Sequence, residues 1–210
     1  MSTEQQGGQP SGSDRPSIPG DSGAVTQQIQ HQQISARVPE KVGRGVFSTG
    51  AIVLQGPQEF VLDFILRMAQ PHLVVARVVM PPSVVPRLIA ALRENLHNFQ
   101  TRFGPPSPLP TPPPSATPPS IEEIYDQLKL PDEGLSGVYA NVVMISHSPS
   151  EFCFDFITNF YPRSAVSCRV FLAAPQVPRL LDTLTKSFEQ FQRRIAQPPP
   201  EPPGSSSIIA

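Results

Sequence analysis

An α+β fold built from two tandem copies of one small domain is what this sequence predicts. Three observations predict it. Placing Gly45 on Gly137 aligns Gly45–Gln100 with Gly137–Gln192 without a gap, and 18 of the 56 paired positions are identical. Within each copy a period-two apolar pattern gives way to a period near 3.6. Proline-rich stretches flank and separate the copies, and the chain holds 28 prolines. An ungapped match of this length marks a tandem duplication. Two copies at so long a period are too few for a solenoid, so each reads as a small domain.

Each copy reads βββα. The first strand is expected near 46–54 and 138–146, and Gly56-Pro57 and Ser148-Pro149 mark the turns that follow. The second strand, near 59–67 and 151–159, alternates sharply. Phe60, Leu62 and Phe64 point one way in copy one, and Phe152, Phe154 and Phe156 repeat the stripe. Aromatic residues on one face of a period-two run indicate a half-buried strand. The third strand is expected at 73–80 and 165–172, behind turns holding Gln70-Pro71 and Tyr161-Pro162.

The helix follows. Val85, Leu88, Leu92, Leu96, Phe99 and Phe103 form one apolar stripe, and Val177, Leu180, Leu184, Phe188, Phe191 and Ile195 form its twin. Pro86 and Pro178 fall in the first turn, where a missing N–H is tolerated, and Ser83 is a candidate N-cap. One helix covers one face of a sheet. The other face of copy one still carries Val61, Ile65, Leu73, Val75 and Val79. That much apolar surface predicts that the copies pack together as a covalent pseudo-dimer, or that chains associate further.

The remaining segments are low in apolar side chains. Residues 1–40 are rich in Gln, Gly, Ser and Pro and are expected to be disordered. The run from Gly104 to Ser120 reads as a polyproline II spacer, and 198–210 as a disordered proline-rich tail. Ser120-Ile121-Glu122-Glu123 is a capping-box pattern, predicting a short helix near 121–129 that docks on copy two or on a partner. The expected organisation is therefore 41–103 and 134–197 as the two domains, with 104–133 as linker.

Composition narrows the function. The net charge is −1, so bulk charge does not point to nucleic acid or an anionic membrane. The longest apolar run falls short of the ~18 residues of a membrane span, and the N-terminus lacks the basic and apolar regions of a secretory signal. Two cysteines, Cys153 and Cys168, are too few for a disulfide scaffold. Alternation puts them on opposite faces, so free thiols and a reducing compartment are expected. Gly-rich phosphate loops, nucleophile elbows and zinc-protease motifs are absent from the sequence.

Four groups of polar residues stand out. Glu59, Asp63 and Arg77 recur as Glu151, Asp155 and Arg169. In a hairpin of strands two and three, Asp63 faces Arg77 and Asp155 faces Arg169, which reads as a pair of register-fixing ion pairs. A carboxylate site is the alternative. It fails on distance, because Glu59 and Asp63 lie about 13 Å apart along a strand. Arg87 and Arg179 sit in a helix first turn, where the dipole disfavours a cation. They read as partners of Glu59 or Glu151, or as an anion or partner contact. His147, beside Ser148 and Glu151, has Gln55 as its counterpart, so any histidine chemistry belongs to copy two. It reads as a turn histidine capping backbone, since a zinc site needs three or four ligands. Arg93, Arg102, Lys186, Arg193 and Arg194 are scattered along the helices as solvated faces usually are.

The run from Val138 to Phe156, followed by Cys168–Leu184, resembles a small bacterial and archaeal family known as domain of unknown function 3467. Copy two carries the pattern at Tyr139, Asn141, His147, Ser148, Glu151, Phe152, Asp155, Phe156, Arg169, Arg179 and Leu180. Copy one keeps Glu59, Phe60, Asp63, Phe64, Arg77, Arg87 and Leu88, and departs at Thr49, Gln55 and Gly56. The resemblance implies a duplicated member in a bacterial cytoplasm. It implies no activity, ligand or cofactor.

The expected function is protein–protein interaction or assembly, as an adaptor or chaperone-like module, with a protein partner or a second copy of the chain. No catalytic residue, metal or cofactor is expected, and neither a small-molecule substrate nor a membrane is inferred. The alternatives are a nucleic-acid-associated regulator using the helix arginines, and an enzyme using the turn of copy two.

Overall fold

The structure is a computed structural model and describes residues 36–110, 119–160 and 162–196. The readings of 1–35, of the central proline run 111–118 and of the tail from 197 onward lie outside the described residues. All described residues belong to one unit, Gln32–Ala210.

Copy one begins earlier than the repeat suggests. Strand β1 (Ala36–Arg37) and a single helical turn α1 (Glu40–Gly43) precede β2 (Val46–Ser48). Then come β3 (Gly50–Gln55), β4 (Phe60–Leu66) and β5 (His72–Met80). A 3-10 turn over Pro82–Val84 leads into α2 (Val85–Phe103). Copy two repeats this order. Helix α3 (Ile121–Asp126) and β6 (Leu128–Lys129) come first, followed by a 3-10 turn at Asp132–Gly134. Next are β7 (Val138–Tyr139), β8 (Val142–His147), β9 (Glu151–Phe160) and β10 (Arg163–Ala173). A 3-10 turn at Ala174–Gln176 opens α4 (Val177–Ala196).

The predicted first strand is broken in both copies, and its two pieces join different sheets. In one sheet β8, β9 and β10 run antiparallel, while β1 and β2 add parallel to the far edge of β10. In the other, β3, β4 and β5 run antiparallel, while β6 and β7 add parallel to β5. Each sheet is thus completed by the entering arm of the opposite copy. Gly45 and Gly137 start the crossing pieces with φ of +65° and +66°. A Cβ at Gly137 would lie 2.7 Å from Arg77 Cγ, and one at Gly45 2.9 Å from Arg169 Cγ. Glycine is needed there for its positive φ and for the close approach.

A β-bulge in each hairpin, after Phe64 and between Val166 and Cys168, shifts the pleat. Phe64 and Ile65 are both buried, as are Phe156 and Ile157. Ile65 lies outside the cluster of Phe60, Leu62 and Phe64; it stays on the second face, as simple alternation puts it, and is buried there with Asp63. Val61, Leu73, Val75 and Val79 on that face are half-buried, and Gly137 of the crossing arm lies against Val79.

One core joins the copies. Phe60, Phe64, Phe152, Phe154 and Phe156 are fully buried within it. Helix α2 packs on α4 and on β8, while α4 packs on β3, so each helix reaches the opposite copy's edge strand. Phe99 of α2 lies 5.2 Å from Phe152, and Phe191 of α4 lies 5.4 Å from Phe60. Burying one such ring is worth about 2–3 kcal/mol. The last predicted stripe residues behave otherwise, because Phe103 and Ile195 are exposed. Ser83 is not an N-cap: it lies inside the 3-10 turn, and α2 starts from Val84 without a side-chain cap.

The Ser120 capping box is present in both directions. The helix ends at Asp126 rather than 129, because Leu128–Lys129 pairs with β5. The helix is tied to copy one, where Tyr125 bonds Asp63, rather than to copy two alone.

Candidate functional site

Two polar clasps occupy equivalent places, each where a crossing arm enters a sheet. Asp63 on β4 lies directly opposite Arg77 on β5, and Asp155 on β9 opposite Arg169 on β10. Arg77 Nε and Nη2 donate to the two Asp63 oxygens at 2.8 and 2.7 Å. Arg169 does the same to Asp155 at 2.7 Å in both bonds. The third guanidinium nitrogen reaches across the copies. Arg77 Nη1 donates to the Leu135 carbonyl at 3.2 Å, and Arg169 Nη1 to the Gly43 carbonyl at 3.3 Å. A planar fork that fills a carboxylate and keeps a donor to spare suits this task, and a lysine could not do it.

Surroundings separate the two clasps. Asp63 is fully buried, and Tyr125 of α3 donates its hydroxyl to Asp63 Oδ2. The bond to Asp63 raises the Arg77 pKa above the ordinary arginine value. Burial, then the bond to Asp63, raises the Tyr125 phenol. In copy two the Asp155 and Arg169 side chains are 19% and 24% exposed, and Cys153 takes the place beside them. They line a shallow cavity of about 360 Å³ that also holds His147, Ser148 and Glu151.

That cavity contains the residues of the enzyme alternative, and their bonds are spoken for. The Ser148 hydroxyl donates to Glu151 at 2.7 Å and accepts from the backbone N–H of Ser150 and Glu151. Burial, then the Asp155 charge, pushes the Cys153 thiol up, away from the reactive thiolate. His147 does not cap backbone. Its ring packs edge-on to Phe99 at 5.7 Å and against Phe152 at 5.3 Å, and its Nδ1 is buried without a partner. Gln55, its counterpart, has Oε1 buried without a partner too. No group of three or more His, Cys, Asp or Glu among the described residues is placed to hold a metal.

Arg87 and Arg179 do not pair with Glu59 or Glu151. Among the described residues the ion pairs are the two clasps, Asp182–Lys186 and Glu189–Arg193. Arg179 instead faces Arg67, at the end of β4, across a cavity of about 510 Å³. Sequence reasoning missed Arg67, which closes an apolar strand and has no counterpart in copy two. It also missed Tyr125 on Asp63. The arms had one available signal: Pro39-Glu40 and Pro131-Asp132 recur at the spacing of the main repeat.

The geometry defines a class: a duplicated α+β protein in which each copy threads an arm into the other's sheet and locks it with an Asp–Arg clasp. The chain belongs to the family described as Protein of unknown function (DUF3467), which matches it twice, over residues 5–107 and 111–197. Searches of curated proteins and of solved structures give no significant match. No helix among the described residues is long and apolar enough to cross a membrane.

Proposed function

We propose that the chain is a covalent pseudo-dimer of two βββα units acting as a non-enzymatic protein–protein interaction or assembly module. One observation carries this reading. Exposed large apolar side chains recur at matching positions of the two copies: Phe47 with Tyr139, Met68 with Phe160, and Phe103 with Ile195. Tyr139 and Phe160 stack at 5.6 Å with an interplanar angle of 13° while remaining 42% and 55% exposed. A pair of matching apolar patches suits a partner that is itself two-fold or repeated. Among the described residues the edge strands β3 and β8 each pair with a strand on one side only, which adds a second means of contact. The nucleic-acid alternative rests on Arg93, Arg102, Lys186, Arg193 and Arg194, of which Lys186 and Arg193 each have an acid one turn earlier.

The test is light scattering and native co-purification of the full chain, with and without nuclease, beside a Tyr139→Ser/Phe160→Ser double variant. The expected result is a mass above the 22.8 kDa chain, or a nuclease-resistant protein partner, either one lost in the double variant. Retention abolished by nuclease, or a mass and partner set unchanged by the variant, overturns the reading.

A further inference from the structure

We propose that the cavity between Arg67 and Arg179 is a binding site for a small organic phosphate, beyond the assembly role above. Its walls come from three places: β3 and the end of β4, the linker helix α3, and the start of α4. A volume of about 510 Å³ is in the usual range for a small-ligand site, roughly 300–1,000 Å³. Arg67 and Arg179 both line this space, and no carboxylate is among its described lining residues. Neither arginine forms an ion pair among the described residues. Burial and then the Arg179 charge lower the Arg67 pKa, as expected where two like charges share a partly dehydrated space. His72, on the same wall, is already used: Nδ1 contacts the Ala69 carbonyl at 3.2 Å and Nε2 contacts Gln70 at 3.3 Å.

The chain makes room for this arrangement in one copy only. Arg67 Nη1 lies 2.8 Å from where a Cβ on Gly50 would be. The equivalents of Gly50, Arg67 and His72 in copy two are Val142, Asn159 and Ser164. There Ser164 donates to Asn159, whose backbone N–H and carbonyl are bonded by Asn141. Duplication alone therefore does not explain the arginine pair. A phosphate monoester is a dianion with three free oxygens, matching two forked cations, whereas a carboxylate would leave one guanidinium unbalanced. Apolar side chains such as Ile124 and Leu180 would hold the organic body.

The experiment is titration calorimetry of the full chain with phenyl phosphate and with benzoate. Phenyl phosphate is expected to saturate and to bind at least tenfold more tightly than benzoate. Arg67→Gln and Arg179→Gln are each expected to weaken it tenfold or more, and Arg87→Gln, the counterpart of Arg179, to leave it unchanged. Arg67→Lys keeps the charge and loses the fork, so it should fall between, and it carries the test if Arg67→Gln does not fold. Failure to saturate, equal binding of benzoate, or an equal loss in Arg87→Gln overturns the proposal.

Discussion

The clasp of copy one is sealed and that of copy two is open, although the same Asp and Arg build both. Asp63 has no exposed surface and takes a third donor from Tyr125. Asp155 is partly exposed and has the Cys153 thiol beside it. Part of the difference comes from α3, which brings Tyr125 onto the clasp of copy one. The linker delivers α3 to copy one, with the Ser120 capping box fixing its start. The same Asp–Arg pair thus stands in two settings, set by Tyr125 in one copy and by Cys153 in place of Val61 in the other.

Removing the carboxylate charge is the strongest way to challenge that contrast. Asp63→Asn breaks the pair whose carboxylate is fully buried and is expected to cost ~3–5 kcal/mol. Asp155→Asn breaks the pair whose carboxylate is partly exposed and is expected to cost ~1 kcal/mol. Urea unfolding of the full chain, followed by circular dichroism, measures both. Equal losses would mean that the sealed environment contributes nothing.

Tyr125→Phe tests the same contrast on a smaller scale. It removes one donor to a buried carboxylate that keeps its arginine, so ~1–2 kcal/mol is expected. Combined with Asp63→Asn, the two losses should fall short of additive by ~1 kcal/mol, because the groups share one network. Strict additivity would show that the hydroxyl stabilises α3 independently of the clasp.

Much of this was legible from the residues because it depends on local period and on pairing. Alternation placed Phe152, Phe154 and Phe156 inside, and hairpin counting set Asp63 opposite Arg77 and Asp155 opposite Arg169. Strand exchange was not legible. Val46–Ser48 and Gly50–Gln55 read as one strand, since a period-two pattern records which face is buried and not which sheet supplies the hydrogen bonds. Gly45 and Gly137 mark the start of the repeat in the sequence, but nothing local shows that the chain crosses there. Tyr125 meeting Asp63, and Arg67 meeting Arg179, depend on contacts far apart in sequence that no periodicity encodes. His147 was misread because its turn sequence suggested capping, whereas α2 of the other copy brings Phe99 and Phe103 against its ring.

The two thiols give the smallest effect, and both belong to copy two; their counterparts in copy one are Val61 and Ala76. Burial, then the Asp155 charge, pushes the Cys168 thiol up to about 11, while Cys153 is raised for the same two reasons. A thiol raised on folding favours the folded state fully below the ordinary thiol pKa. That contribution is lost as pH climbs through about 11. Stability should therefore decline from about pH 9 upward, and the Cys168→Ala variant should decline less steeply. Reactivity gives a second reading. For Cys168, a thiol pKa of about 11 in place of 9 leaves ~100-fold less thiolate at pH 8, and the greater nucleophilicity of a more basic thiolate recovers ~8-fold, so a net slowing of ~10-fold relative to a free thiol is expected. Cys153, in the open cavity of the second clasp, should react faster than Cys168. Reaction of a disulfide reagent with the Cys153→Ala and Cys168→Ala variants separates the two rates. If Cys168 reacts as fast as Cys153, the strands around the open clasp separate often enough to expose it, and copy two is looser than its hydrogen bonds suggest.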